Sequence, residues 1–362
     1  MELMKFDEVI NHLIKKKRTF SLLMGNGFSM AYDSEIFSYN ALSRFLSSRD
    51  DPLINKLFDV IKTKNFEVVM QQLDTTLALL EAFDSSKALQ ESIRNASDKL
   101  KAGLLSSIHQ LHPEHVFKIP EHKAEACATF LKLFINSGGH IFSTNYDMLL
   151  YWVLMRQHIE NATDGFGREL ENTEEVLRGA EAEYGDLIWG PNKDHQNIHY
   201  LHGALHIFDV GVNIEKEQYS NDGFLIEKVK KRLEVGDYPI FVTAGNGDEK
   251  LNHIRHNRYL SHCFEQLSNL NGSLITFGFN FGEYDEHIID AINKAVHAPS
   301  KREPKLWSIY IGVYSEADAK HILSIKEKFH AKVTLFDAKT ACVWGGKNIL
   351  FIDIVRKGCL SP

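Results

Sequence analysis

The chain has 362 residues, 44% of them hydrophobic and 11% aromatic, enough for a substantial buried core. Its net charge of -7 excludes a surface built for non-specific nucleic-acid binding, which needs a basic footprint. The four cysteines, Cys127, Cys263, Cys342 and Cys359, are too dispersed for a CxxC pair, so neither a zinc knuckle nor a disulfide framework is signalled and no metal is expected.

The opening MELMKFDEVINHL reads as an amphipathic, acidic helix and not as a signal peptide. No apolar run approaches the roughly 20 residues of a membrane helix. The expectation is a soluble, cytoplasmic protein with reduced thiols and no membrane contact. The basic run 15–18 closes the helical pattern Val9, Ile10, Leu13, Ile14, where the helix dipole favours positive charge. Residues 19–29 read as a strand entering a glycine turn, GNGFS. From 37 to 135 the apolar spacing turns to three and four, as in FEVVMQQLDTTLALLEAF, which predicts a helical module. HKAEACATFLKLFINSGG adds a further helix stopped by glycines.

Strands then return and alternate with helices. HIFSTN (140–145) precedes helical YDMLLYWVLM, and the acidic section 159–186 reads as surface loop and short helix. HYLHGALHIF (199–208) has strand character throughout. YPIFVTAG (238–245) and GSLITFGFN (272–280) each precede a helix, and LWSIYIGVY and KVTLFDA flank a last one. Such alternation predicts an α/β fold, Rossmann-like and doubly wound, with a mostly parallel sheet. Residues 1–36 and 136–362 would form the sheet-bearing domain, with 37–135 inserted after the first glycine loop.

Four short motifs fall at the predicted strand ends. Gly25 and Gly27 have the spacing of a dinucleotide-binding turn, but Met30 stands where a third glycine would be. Bare backbone there serves either a tight turn or a phosphate lying against amide N–H groups. FSTNYD places Asn145 and Asp147 after the next strand, as helix caps or as ligand contacts. YLHGA carries His202, and TFGFNFGEYDEHI carries Gly278, Asn280 and Asp285.

In this order the motifs resemble the sirtuin-like family of NAD-binding domains, which carry a GAGxS turn, then TQNID, a histidine–glycine pair and a late GTSL-type loop. The resemblance spans residues 20 to about 295. It implies that Gly25, Asn26, Gly27 and Ser29 line the pyrophosphate and adjacent ribose of NAD. Asn145 would position the reacting ribose and water, Asp147 the nicotinamide amide, and His202 would bond a ribose hydroxyl and act as base. Gly278 and Asn280 would contact the adenosine half, with Asp285 holding that loop or capping the following helix. Thr144 stands where the family has glutamine.

Protein-deacylating sirtuins usually carry two CxxC pairs on a zinc module, and this chain carries a long helical section instead. That combination is similar to sirtuin-like NAD hydrolases of bacterial anti-phage defence, with NAD as substrate. It implies a homo-oligomer gated by self-assembly or by a partner such as a HerA-type ATPase. An NAD-dependent deacylase and a non-catalytic nucleotide sensor are the alternatives. Hydrolysis at ribose C1′ releases a neutral nicotinamide from a cationic ring, so no glycosidase-type carboxylate pair is required. An orienting asparagine and a histidine base suffice.

Overall fold

The apolar run Phe20–Met24 is buried at every position, as a strand covered on both faces must be. A computed structural model places it at the centre of the protein and describes residues 3–37, 52–62, 66–111, 116–219, 224–234, 237, 239–242, 246–297 and 305–345. In chain order the strands are β1 (Met4–Lys5), β2 (Phe20–Met24), β3 (Ile141–Ser143), β4 (Phe166–Leu170), β5 (Tyr184–Trp189) and β6 (Ile198–Tyr200). They continue as β7 (Gly203–Asp209), β8 (Ile214–Lys216), β9 (Pro239–Phe241), β10 (Gly272–Phe277), β11 (Leu306–Val313) and β12 (Lys332–Asp337).

Seven of these form one sheet in the order β1-β12-β11-β10-β2-β3-β6, with every pairing parallel. With the two-residue β1 set aside, the order along the chain is the 3-2-1-4-5-6 of the doubly wound fold. The protein is α/β and Rossmann-like. Its winding direction reverses between β2 and β10, whose five residue pairs run from Phe20↔Ser273 to Met24↔Phe277.

Helices Phe6–Lys15 and Glu121–Asn136 bring aromatic rings onto this sheet. Phe6 meets Phe130 and Phe336, Phe134 meets Phe20, and Phe130 meets Phe277, all with centroids between 5.5 and 5.9 Å. These tilted and edge-on rings bury large apolar areas without a clash of ring faces. Helices Pro52–Ile61, Phe66–Ala82 and Lys87–Leu111 occupy the stretch read as helical, and the latter two pack on one another with Arg94 paired to Glu81 at 3.0 Å.

The structure departs from the sequence expectations at three places. The section 159–186, expected as loop and short helix, contains β4 and the start of β5 besides the helix Thr173–Val176. HYLHGALHIF is two strands in different sheets, β6 and β7, broken at Leu201 and His202. Gly203 makes the break possible: its φ is +82°, and a Cβ there would lie 1.9 Å from the Ile240 carbonyl oxygen. YPIFVTAG, expected to join the parallel sheet, supplies β9 of a second, antiparallel sheet in the order β4-β5-β8-β7-β9.

Candidate functional site

Because β6, β3, β2 and β10 are parallel neighbours, the residues that follow them emerge along one edge of the sheet. His202 lies just past β6, Asn145 and Asp147 past β3, Gly25 to Ser29 past β2, and Gly278 to Asp285 past β10. This is the carboxyl edge, centred on the point where the strand order reverses, where open α/β sheets bind ligands.

The two glycine loops meet there. Gly25 N donates to the Phe277 carbonyl at 3.1 Å and Gly27 N to the Gly278 carbonyl at 2.9 Å. A Cβ on Gly27 would stand 2.5 Å from the Gly278 Cα, and one on Gly25 2.6 Å from the Gly278 oxygen. Gly278 itself has a φ of +65°. The bare backbone therefore serves a close contact between the first turn of the helix Asn26–Tyr32, capped by Gly25, and the loop after β10, and these two amides already have carbonyl partners. The Asn26 side chain turns away to donate to the Phe37 carbonyl at 3.2 Å, and Asn280 is exposed.

Beneath this contact lies a buried polar cluster. The Ser29 hydroxyl donates to Asp147 Oδ2 at 2.5 Å and accepts from Asn145 Nδ2 at 2.9 Å. Asp147 Oδ1 accepts at 2.9 Å from the amide of Leu149, the first residue of the helix Leu149–Arg156, whose N-cap is Met148. Burial raises the Asp147 carboxyl above its ordinary value, opposed by these hydrogen bonds. Each carboxylate oxygen keeps a second lone pair for a further donor. Thr144 is held to β2, its amide and hydroxyl both donating to the Met24 carbonyl.

The turn after β3 is stitched to the turn after β6. Leu201 N donates to Ser143 O and Leu205 N to Tyr146 O, both at 2.8 Å, while the Tyr146 hydroxyl donates to Val242 O. Val242 N in turn donates to His202 O at 3.0 Å. His202 is buried, and its Nε2 lies 2.9 Å from Nε2 of His287. Burial, then His287 and the Lys250 charge, hold the His202 imidazole well below its ordinary value, so it is neutral near pH 7. Lys250 Nζ sits 3.3 Å from Asp285 Oδ1. Asp285 thus serves this second cluster rather than capping its helix through its side chain.

His287 and Lys250 were not legible as site residues. His287 stands second in the helix Glu286–Val296, and Lys250 lies in the helix Gly247–His256, each one polar residue among several in its helix. Only the position of DEHI directly after a strand-end glycine loop hinted at the former. Among the described residues, no group of three or more His, Cys, Asp or Glu is arranged to hold a metal ion, and no helix is long and apolar enough to cross a membrane.

The family profile described as "Domain of unknown function (DUF4917)" matches residues 22–344. The chain belongs to that family. The matched span runs from inside β2 to just past β12 and contains both buried clusters. No curated protein matches the chain.

Proposed function

We propose that the protein is an NAD+ hydrolase that cleaves the bond between ribose C1′ and nicotinamide, giving nicotinamide and ADP-ribose. One observation carries this reading. The four motifs that resemble the sirtuin-like set end four neighbouring strands at the switch point, and Asn145 and Asp147 are bonded to Ser29 of the first loop.

The chemistry asks little of the protein. The C1′–N bond breaks with its electron pair on nicotinamide, a water oxygen bonds C1′, and the water proton goes to a base. His202, at the sheet edge and neutral near pH 7, is the candidate to take that proton, with burial, His287 and Lys250 lowering its basicity. The Asn145 amide both donates and accepts, as needed to hold a ribose and a water together. Asp147, anchored by Ser29 and Leu149, has lone pairs to receive the nicotinamide amide. An ungated enzyme of this kind would deplete its own cell, so the proposal includes control by self-assembly or by a partner chain, as fits an anti-phage effector.

Purified protein incubated with NAD+ is expected to release nicotinamide and ADP-ribose in equal amounts. Asn145→Ala and His202→Ala are expected to lose on the order of 10²–10³ in rate. Removing a purely structural cap or hydrogen bond would instead lower stability by about 0.5–2 kcal/mol and spare turnover. Nicotinamide release and melting curves for both variants separate the two, and a folded Asn145→Ala protein with parental turnover would overturn the assignment.

A further inference from the structure

A histidine has two ring nitrogens, and one nitrogen of His202 is already committed. Its Nε2 faces Nε2 of His287 at 2.9 Å, so a single hydrogen bridges the two rings. The rings lie nearly parallel, with centroids 5.2 Å apart at 26°, and both residues are buried. His287 is packed on its other side by the Phe264 ring of the helix Arg258–Ser268. Its Nδ1 is buried with no hydrogen-bond partner among the described residues.

We propose that His287 is the positioning residue of His202, accepting the bridging hydrogen and so holding His202 as the Nε2–H tautomer with Nδ1 left for the substrate. This rests on the reading of His202 as the base. A neutral imidazole carries one hydrogen, and a base must offer a bare nitrogen. With Nε2 facing His287, that bare nitrogen is Nδ1, and the hydrogen belongs on Nε2. His287 then accepts at Nε2 and carries its own hydrogen on Nδ1.

The proton count closes. When His202 Nδ1 takes a proton from water or a ribose hydroxyl, one O–H bond breaks and one N–H bond forms. The Nε2–H of the imidazolium so formed stays hydrogen-bonded to His287 Nε2, which stabilises the new charge without taking the proton. Burial first, and then the charge of Lys250, which sits 3.3 Å from Asp285, keeps both rings neutral until that step.

A merely structural pair would tether β6 to the helix Glu286–Val296 and nothing more. His287→Gln retains an acceptor near the place of Nε2, whereas His287→Leu removes it. Imidazole nitrogen NMR of the full chain is expected to show His202 as the Nε2–H tautomer in the parent and in His287→Gln, and as a mixture in His287→Leu. Nicotinamide release is expected to drop about 10- to 100-fold in kcat for His287→Leu, the worth of one hydrogen bond to a charged group, with KM little changed and recovery in His287→Gln. An Nδ1–H tautomer in the parent, or an unchanged tautomer in His287→Leu, would overturn the proposal. Should His287→Leu not fold, the parent tautomer and the Gln variant still decide it. Should the parent release no nicotinamide, the hydrolase reading fails while the tautomer still decides the pairing.

Discussion

At Gly27 an added methyl group would meet the Gly278 Cα at 2.5 Å, backbone against backbone, with no flexible side chain to yield. Gly27→Ala should therefore destabilise the fold by about 1–3 kcal/mol, because either the helix start or the loop after β10 must shift. Gly179 offers the contrast. Its φ is +94° but nothing lies within 4 Å of an added Cβ, so Gly179→Ala should cost only about 1–2 kcal/mol, through backbone strain. Urea unfolding of both variants measures the difference, and a parental midpoint for Gly27→Ala would mean that the two backbones do not meet in solution. The glycine pair was legible in the sequence, and so was its place at a strand end. Its use was not, because the residues it meets follow β10, far along the chain. His287 was hidden for the same reason: its partner His202 sits on a different element, and neither neighbourhood announces the other.

Elements were legible where one period dominates. The continuous apolar runs of β2, β10 and β11 belong to strands covered on both faces, and the three-and-four spacing of Phe66–Ala82 to a helix. The second sheet was harder to see. FGREL of β4 and YGDLIW of β5 mix glycine and charge into short, half-exposed strands whose partners are supplied by tertiary contact. The join between the two sheets and the helices depends on caps such as Asn257. Its Oδ1 accepts from the Tyr259 and Leu260 amides at 3.1 Å, and its Nδ2 donates to Asp209 Oδ2, at the end of β7, at 2.9 Å. Asn257→Ala loses both roles and should cost about 2 kcal/mol, against about 1 kcal/mol for Ser315→Ala at an exposed cap. Asn257→Asp keeps the cap but sets a second carboxylate against Asp209. If Asn257→Asp melts with the parent, the tie to β7 contributes nothing.

Over the whole molecule, buried histidines set the response to acid. His199 and His202 are fully buried, and burial first, with neighbouring imidazoles next, holds both well below their ordinary value. His287 is pushed down to about 3 by burial and by Lys250. His140 and His262 are lowered too, in the same order of causes: burial, then a neighbouring positive charge. Each of these groups takes up a proton more readily in the unfolded chain than in the folded one, so unfolding consumes protons below the ordinary histidine value of 6.5. Stability is therefore complete above about pH 6.5 and is lost as pH falls toward the depressed folded values. Asp147 works in the opposite direction: its raised carboxyl favours the folded protein as pH falls through that value, which offsets part of the loss. Each proton is worth about 1.4 kcal/mol per pH unit. Two or three protons over the interval from about 6.5 to 5 amount to roughly 4–6 kcal/mol, a large share of the 5–15 kcal/mol typical of a folded domain. Urea midpoints should hold level from pH 8 to 7 and drop steeply below 6, and titration calorimetry of acid unfolding should register proton uptake. Midpoints that stay level down to pH 5 would show that these imidazoles take up their protons in the folded protein as readily as in the unfolded chain, so that burial does not hold them neutral.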